Sequence, residues 1–301
     1  MNLCPDISHA VRLLQLGEVI AVPTETVYGL GGDAKNPLAV RRIYAAKGRP
    51  AGHPVIVHLA SEASWTEWGK FNEHAFALAE AFWPGPLTLI LPRGPEVLDE
   101  VTGTLPTVGL RVPSHPIAQA LLRQFGSGIA APSANRFGRI SPTTADHVFM
   151  EFGEQICILD GGQSKIGIES TIVDVSQERP ALLRPGSIGQ SAIEAVVGPV
   201  GHSDTVAPGT LKSHYAPMTS LLLSHAPEED RIRLEKEGKT VAVLRSQPPR
   251  EYARNLYAAL RQMDQLGVDV LIAEPAQNKG LGLAINDRLV RAASKFPTED
   301  L

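Results

Sequence analysis

Hydrophobic residues recur every three or four positions in some segments and every second position in others, which predicts alternating helices and strands. The predicted helices of the first two thirds of the chain span residues 7–16, 37–47, 72–82, 116–125 and 193–197. The predicted strands there span residues 19–22, 55–59, 88–91, 107–112 and 129–131. This alternation is typical of an α/β fold, in which helices cover the faces of a sheet.

A change of composition divides the chain. Residues 198–217 are rich in Gly, Pro, Ser and Thr and show no sustained period, which is typical of a linker. Beyond them, strand patterns alternate with amphipathic helices, so we expect a small Rossmann-like domain with a parallel sheet. Its predicted strands span residues 220–223, 240–244 and 268–273. The predicted units are a first domain of residues 1–200, a linker of residues 201–218 and a C-terminal domain of residues 219–301.

The predicted C-terminal domain contains no cluster of catalytic residue types. Its clearest amphipathic helix has one apolar face, formed by Ala253, Leu256, Tyr257, Leu260 and Met263. A closing helical pattern follows and carries polar residues, namely Asn286, Arg288 and Arg291. These residues are either solvated or packed against the first domain, and the sequence leaves both possibilities open.

The overall composition is that of an ordinary globular protein. Of the 301 residues, 43% are hydrophobic and 20% are charged, which argues against a disordered or fibrous chain. No apolar run reaches the ~18 residues that a membrane span needs, and the N-terminus lacks the zones of a signal peptide. We therefore expect a cytoplasmic protein that does not enter a membrane.

Charge and cysteine content exclude some classes of function. Residues 219–301 contain 12 Lys and Arg against 12 Asp and Glu, so the net charge of −4 lies entirely in residues 1–218. This argues against a strongly basic nucleic-acid surface, although a local basic groove stays possible. Cys4 and Cys157 form no CxxC pair and have no clustered histidines nearby, so we predict isolated thiols and no zinc site.

Several polar residues fall where a predicted helix or strand ends. Lys47, Arg49 and His53 lie on the turn between the helix of residues 37–47 and the next strand, which carries His58 near its end. The turn residues either bind a ligand or, in the case of the two cations, only neutralise the carboxyl end of the helix. Polar residues also follow the strand of residues 129–131, chiefly Ser133, Asn135, Arg136 and Arg139. Ligands of α/β sheets bind beyond such strand ends.

Arg111 lies between apolar residues in the strand of residues 107–112. A buried guanidinium must be paired with an anion, and either a structural carboxylate or a substrate carboxylate meets that need.

The glycine run at residues 29–32 follows a short strand and predicts a flexible turn. Its spacing does not match the phosphate-binding glycine patterns, so we predict no nucleotide site from it.

A series of short motifs in register resembles the YrdC-like family, in the two-domain long form of its threonylcarbamoyl-AMP synthases. The motifs are, in chain order, PTETVYGLG, KGR, HPVIVH, GLRVP, SAN, GIEST, LRPG and APGTLKSHYAP. The resemblance implies a twisted open sheet with a concave site for L-threonine and ATP. It also implies a nucleotidyltransferase that joins L-threonine, bicarbonate or CO2, and ATP into L-threonylcarbamoyl-AMP and releases pyrophosphate.

The resemblance assigns two sets of site residues. The L-threonine set is Thr26, His58, Arg111, Ala131 and Ser170. The ATP set is Lys47, Arg49, His53, Thr107, Ser133, Asn135, Ser141, Arg184 and Tyr215. His53 stands where some members of the family carry asparagine, and either side chain forms hydrogen bonds. Within these sets the catalytic cations are Lys47, Arg49 and Arg184, which would position the anionic reactants.

The resemblance also implies a cofactor and partners. Mg²⁺ would arrive with ATP and be held by phosphate oxygens and water, because the sequence contains no carboxylate cage. Partner proteins would pass the threonylcarbamoyl group to the adenosine beside the anticodon of certain tRNAs. The acidic first domain argues against direct tRNA binding. No general base is predicted, and Tyr215 is interpreted as part of a linker that closes over the nucleotide as a lid.

Two alternatives from other classes stay open. One is a non-catalytic protein that binds double-stranded RNA, since relatives with this concave fold have been linked to such binding. The other is a carbamoyl-transfer protein of a maturation pathway, which shares the KxR and SxN pairs but carries extra acylphosphatase-like and zinc-finger modules. The acidic first domain disfavours the first alternative, and the absence of those modules from this sequence disfavours the second.

Overall fold

The computed structural model describes residues 1–50, 52–61, 63–201 and 214–294. Most of the predicted linker, residues 202–213, lies outside the described residues, as does the end of the predicted C-terminal domain, residues 295–301.

The predicted helices of the first domain are confirmed to within a few residues. The helices among the described residues are α1 (Ile7–Gln15), α2 (Pro37–Lys47), α3 (Glu73–Phe82), α4 (Asp99–Thr102), α5 (Pro116–Phe125), α6 (Ala145–Phe152), α7 (Gln190–Val197), α8 (Pro227–Lys236), α9 (Pro249–Asp264) and α10 (Leu281–Ala293). The strands are β1 (Ile20–Val22), β2 (Gly29–Asp33), β3 (Ile56–His58), β4 (Leu87–Pro92), β5 (Thr107–Arg111), β6 (Ile129–Ala130), β7 (Cys157–Ile158), β8 (Thr171–Asp174), β9 (Ala181–Arg184), β10 (Ser220–Leu223), β11 (Val241–Leu244) and β12 (Val270–Ala273).

The first nine strands form one mixed, twisted sheet in the order β7-β1-β2-β6-β3-β5-β4-β8-β9. Strands β3 and β5 run parallel and pair His58 with Arg111, which brings two predicted threonine ligands side by side. Strand β4 runs parallel to β8 and antiparallel to β5. The predicted α/β class is therefore confirmed, and the pairing of strands distant in sequence gathers the candidate residues.

Helix α2 illustrates how local sequence places a candidate residue. The Asn36 side chain accepts hydrogen bonds from the first backbone amides of the helix, and Pro37 occupies its first turn. Gly48 then adopts a left-handed conformation, with φ of 63°, and ends the helix directly after Lys47. The predicted helix is thus confirmed. The chain turns at Gly48 and continues to β3.

The glycine run at residues 29–32 is a strand, so the predicted flexible turn is wrong. A Cβ atom on Gly31 would lie 2.9 Å from Ile129 Cγ2 and 3.2 Å from Val22 Cγ2. One on Gly32 would lie 3.1 Å from Ile43 Cδ1. These glycines therefore allow helix α2 and the neighbouring strands to pack closely on β2, which requires small residues and not a flexible backbone.

Cys4 and Cys157 form a disulfide, so the prediction of isolated thiols is wrong. Their Cα atoms are 5.4 Å apart, although the residues are separated by 153 positions in the sequence. The N-terminal segment runs beside β7, where the Cys4 amide donates to the carbonyl of Ile158. This long-range pairing left no local cysteine motif from which a disulfide could be predicted.

The last three strands form a separate parallel sheet, as predicted, and their order is β10-β12-β11. Helices α9 and α10 pack together and bury apolar residues in one cluster with Val27, Ile140 and Ile168. The closing helix is therefore packed against the rest of the chain, and Arg288 on it is fully buried. The Asn286 side chain instead accepts a hydrogen bond from the backbone amide of Ala276 and donates one to the carbonyl of the same residue.

Candidate active site

A cavity opens where β3, β5, β6 and β9 end and β8 begins, near the segment that carries Tyr215. Its empty volume is about 560 Å³, counting the part open to solvent. The residues that line it are Thr24, Thr26, Val27, Gly29, Arg49, Ile56, His58, Arg111, Ala131, Pro132, Ser133, Glu169, Ser170, Arg184, His214 and Tyr215. The structure therefore brings all five residues of the predicted threonine set to one cavity, together with part of the predicted ATP set.

Four residues of the ATP set also line the cavity, namely Arg49, Ser133, Arg184 and Tyr215. The other five lie outside its lining, and they are Lys47, His53, Thr107, Asn135 and Ser141. Thr107 begins β5, whereas Arg111 ends the same strand, so these two predicted ligands lie about 13 Å apart along it. The structure thus brings four residues of the predicted ATP set to the cavity and leaves the other five outside its lining.

Lys47 is buried beneath the loop that follows β6. Its Nζ atom donates to the carbonyl oxygens of Ser133 and Asn135, each at 2.6 Å. Burial lowers the pKa of Lys47 well below its usual range, and the charge of Arg49 lowers this pKa further. In this arrangement Lys47 fixes the loop that carries Ser133, and its direct contact with phosphate stays a prediction.

Asn135 and Ser141 also have protein partners. The Asn135 amide donates to the carbonyls of Arg136 and Arg139, and its Oδ1 atom is buried with no hydrogen-bond partner among the described residues. Ser141 donates its hydroxyl proton to Glu169 at 2.6 Å. Both residues therefore shape the loops around the cavity.

Arg111 has a structural carboxylate, so the first of its two predicted partners is present. Its guanidinium donates to Glu25 Oε1 at 2.6 Å, to Thr26 Oγ1 at 2.8 Å and to the carbonyl of Gly85 at 3.3 Å. Glu25 also accepts from the backbone amide of Ser114. The pair is buried, which fixes a cation and the Thr26 hydroxyl in the cavity wall before any ligand binds.

His58 lies beside Arg111 and is kept neutral. Burial, aided by the charge of Arg111, lowers the pKa of His58 to about 3. Its Nδ1 atom is buried and has no hydrogen-bond partner among the described residues. A neutral imidazole with an unused ring nitrogen in a cavity wall is suited to hydrogen bonding with a ligand.

The pKa of His58 predicts that protein stability depends on pH. As the pH falls below ~6.5, His58 becomes protonated in the unfolded chain but stays neutral in the folded protein. This group therefore lowers the free energy of unfolding by about 1.4 kcal/mol for each pH unit below that value. Denaturant unfolding at pH 7.5 and 4.5 should show a smaller loss of stability in His58→Gln than in the wild type. His225→Gln, at an exposed residue, is the control and should keep the wild-type loss. Equal losses in all three proteins would contradict the prediction.

Arg49 and Arg184 supply the other cations of the lining. Arg49 donates to the carbonyl of Pro54 at 2.8 Å, and its Nε atom is buried with no hydrogen-bond partner among the described residues. Arg184 donates through Nε and Nη2 to the carbonyl of Ser170, at 3.1 and 3.0 Å. Burial lowers the pKa of both arginines, which nonetheless stay charged at neutral pH.

Glu169 is a cavity residue that the sequence did not single out. Its Oε1 atom accepts from Ser141, and its Oε2 atom accepts from Tyr257 and from Arg288, both at 2.8 Å. Burial alone would raise the pKa of Glu169, but the charges of Arg288 and Arg184 outweigh it and lower the pKa. The only sequence signal was its place in the GIEST motif, because two of its partners lie 88 and 119 residues further along the chain.

Tyr215 is almost completely buried, with 1% of its surface exposed, in the cavity wall. Its ring centre lies 5.7 Å from that of Tyr257 and 4.1 Å from that of His214. Tyr215 therefore lies at the cavity, as the lid interpretation requires. Residues 202–213 of the predicted lid lie outside the described residues, so closure stays a prediction.

The described residues of the cavity wall include no carboxylate that is free to bind Mg²⁺. Among the described residues that line it, Glu169 is the one carboxylate, and both of its oxygens already accept hydrogen bonds. Within the described parts of the chain, no three His, Cys, Asp or Glu side chains are placed to hold a metal ion. The residues present therefore do not form a metal site of their own.

The described residues include no helix with the length and hydropathy of a membrane span.

Comparisons with known proteins agree over both parts of the chain. The family model Sua5_yciO_yrdC, described as Telomere recombination, matches residues 12–186. The model for the C-terminal domain of threonylcarbamoyl-AMP synthase matches residues 188–294. Both the large mixed sheet and the small parallel sheet are thus covered.

Individual relatives are similar over almost their whole length. Threonylcarbamoyl-AMP synthase of Pyrococcus abyssi is 44% identical, covering 94% of this chain and 93% of the relative. The synthase of Bacillus subtilis is 43% identical, covering 96% and 93%. The crystal structure of P. abyssi Sua5 complexed with L-threonine superposes with a TM-score of 0.90 at 42% identity, covering 95% of this chain and 94% of that one. The chain therefore belongs to the threonylcarbamoyl-AMP synthase family, in its two-domain form.

Proposed function

We propose that this chain joins L-threonine, bicarbonate or CO2, and ATP into L-threonylcarbamoyl-AMP and releases pyrophosphate. The observation that carries the proposal is the single cavity in which the predicted threonine set meets Arg49, Arg184 and Tyr215 of the predicted nucleotide set. The likeness of the whole chain to threonylcarbamoyl-AMP synthases, one of them solved with L-threonine, supports the same reaction.

In this proposal the first step takes place at the Arg111 end of the cavity. Arg111 and the neutral His58 hold the carboxylate and hydroxyl of L-threonine, which directs its amine into the cavity. The neutral amine nitrogen forms a bond to the carbon of CO2 while one C=O π bond opens, and the nitrogen loses a proton to water, which gives a carbamate. When bicarbonate is the source, it first loses water to give CO2. Holding both reactants in one orientation removes much of the entropic cost of their encounter.

In the second step a carbamate oxygen attacks the α-phosphorus of ATP. The new O–P bond forms as the bond to the pyrophosphate oxygen breaks, and negative charge moves to the leaving group. Arg49 and Arg184 stabilise that charge from fixed positions in the wall, where a low dielectric strengthens their effect. Mg²⁺ would accompany the triphosphate and neutralise part of its charge, held by phosphate oxygens and water.

The product is a mixed anhydride that water hydrolyses, so partner proteins must receive it promptly. We infer that these partners transfer the threonylcarbamoyl group to the adenosine beside the anticodon of tRNA, in the cytoplasm. The alternatives of a double-stranded RNA-binding protein and of a carbamoyl-transfer protein are outcomes of the test below.

The proposal predicts pyrophosphate release that depends on L-threonine. The protein is incubated with ATP, bicarbonate and L-threonine, and pyrophosphate and the adenylate are measured together. L-Serine should be used with a catalytic efficiency about 10- to 100-fold lower, because it lacks the methyl group that the pocket buries. Release that ignores L-threonine, or RNA binding with a steep salt dependence and no turnover, would reject the proposal.

A further inference from the structure

Glu169 connects the cavity to the C-terminal part of the chain. Its carboxylate accepts from Ser141 near the cavity, from Tyr257 on helix α9 and from Arg288 on helix α10. A carboxylate that accepts from three donors is held in its ionised form and in one orientation. Glu169 is therefore suited to positioning its neighbours and not to removing a proton from a substrate.

Arg288 is the cation that holds Glu169. Its side chain is 0% exposed, and its Nε atom donates to Glu169 Oε2 at 2.8 Å while Nη1 donates to Asp287 Oδ2 at 2.6 Å. Its guanidinium carbon also lies 5.5 Å from the ring centre of Tyr215. A buried arginine is costly unless it is fully paired, and this one contacts two residues of the cavity lining, Glu169 and Tyr215, in addition to Asp287.

Tyr215 needs such support because its backbone is strained. It adopts φ of 64°, a left-handed conformation that disfavours a side chain with a Cβ atom. The flanking backbone is fixed from both sides, since the His214 amide donates to the carbonyl of Arg291 and the Ala216 amide donates to that of Gly138. Contacts from helix α10 and from the first domain thus jointly determine where the Tyr215 ring lies.

Glu169 also precedes Ser170, through which it reaches a second cation. Arg184 donates to the Ser170 carbonyl and to its hydroxyl oxygen, and that hydroxyl lies 2.8 Å from Thr88 Oγ1. A shift of Glu169 would move the Ser170 backbone and with it the guanidinium of Arg184. The contacts therefore form one chain from Arg288 to the predicted phosphate side of the cavity.

We propose that Arg288 is a positioning residue for the reaction, through which the C-terminal domain fixes Glu169, Tyr215 and Arg184 in the cavity wall. The inference rests on the proposed function. It assigns a catalytic purpose to the domain that itself contains no catalytic cluster. Arg288 reaches the predicted threonine set only through Ser170, whereas Arg111 and Thr26 are held by contacts within the first domain, so we expect Arg288 to act mainly on the nucleotide side.

The test compares two buried arginines that both join the domains. Arg261 on helix α9 donates to Glu151 Oε1 at 2.8 Å and to the carbonyl of Ile140, and neither Arg261 nor Glu151 lines the cavity. Arg288→Met should lower kcat/KM for ATP by about 30-fold or more, whereas Arg261→Met should stay within about threefold of the wild type. Unfolding is measured for both, so that a loss of stability is separated from a loss of positioning.

Binding measurements give a readout that a merely structural role would not move. Calorimetry should show weaker ATP binding to Arg288→Met and an L-threonine affinity within about threefold of the wild type. Glu169→Gln, which keeps the shape of the side chain, should reproduce the effect, and combining it with Arg288→Met should add little because both remove one interaction. Arg288→Lys keeps the charge without the planar fork and should restore part of the ATP affinity.

Three results would overturn the inference: equal ATP affinities of Arg288→Met and Arg261→Met, a parallel loss of L-threonine binding, or simple additivity of the Glu169 and Arg288 effects. A wild-type protein without threonine-dependent pyrophosphate release would instead reject the proposed function. The calorimetric comparison of ATP binding would still decide the positioning role in that case.

Discussion

Replacing Arg111 with Met should abolish L-threonine binding and lower the free energy of unfolding by about 3–5 kcal/mol. The loss of binding follows from removing the cation that pairs with the amino acid's carboxylate. The loss of stability has a different cause, because the buried Glu25 is left with no cation at its Oε1 atom. A single substitution at Arg111 therefore mixes two effects that the structure allows to be separated.

The double variant Arg111→Met with Glu25→Gln separates them. It removes both buried charges, so stability should return to within about 2 kcal/mol of the wild type while L-threonine binding stays lost. Glu25→Gln alone keeps the cation and should bind L-threonine within about tenfold of the wild type. Calorimetry with L-threonine and denaturant unfolding are run on all three variants. A double variant that binds L-threonine as the wild type does would make Arg111 purely structural.

The case of Arg111 also shows what the sequence can and cannot predict. Its strand, its burial and its need for an anion followed from the apolar residues around it. Its partner Glu25 lies 86 residues earlier, and only the assembled sheet brings them together. The local sequence pattern therefore predicted that Arg111 needs an anionic partner. Only the fold shows that a protein carboxylate is present to meet that need.

Long-range pairing explains the other differences between prediction and structure. The Cys4–Cys157 disulfide depends on the N-terminal segment running beside β7, and no local spacing encodes that path. The glycines of β2 are required by side chains of β1, β6 and α2 that approach from elsewhere in the sequence. In each case the local sequence is compatible with several structural roles for the cysteine or glycine. The residues that lie near it in the folded chain determine which role it has.

The position of Lys47 follows the same principle. The sequence placed it correctly at the end of helix α2, where a cation can face a ligand or the helix terminus. The structure shows a third arrangement, in which Lys47 holds the loop of Ser133 through two backbone carbonyls. A lysine ammonium group has three N–H donors, so its predicted contact with phosphate would use the one that these two carbonyls leave.

The second large effect is expected at the two guanidinium groups of the cavity wall. Arg184→Met and Arg49→Met should each lower kcat/KM for ATP by about 100- to 1,000-fold, since each removes a fixed positive charge near the transferring phosphorus. The effect should be larger than that of an exposed cation, because burial removes the screening by water that weakens surface charges. Threonine-dependent pyrophosphate release, measured over a range of ATP concentrations, gives both kcat and KM.

Arg136→Met is the matched control, because this arginine is exposed and follows the same Ser133 loop without lining the cavity. It removes the same charge outside the cavity lining and should change kcat/KM by less than about threefold. The two cavity arginines should also differ from each other. Arg184→Lys loses the paired bonds to Ser170 and should recover little activity, whereas Arg49→Lys keeps a charge beside Pro54 and should recover more. If both cavity variants retained activity within tenfold of Arg136→Met, electrostatic stabilisation of the leaving pyrophosphate by this wall would be rejected.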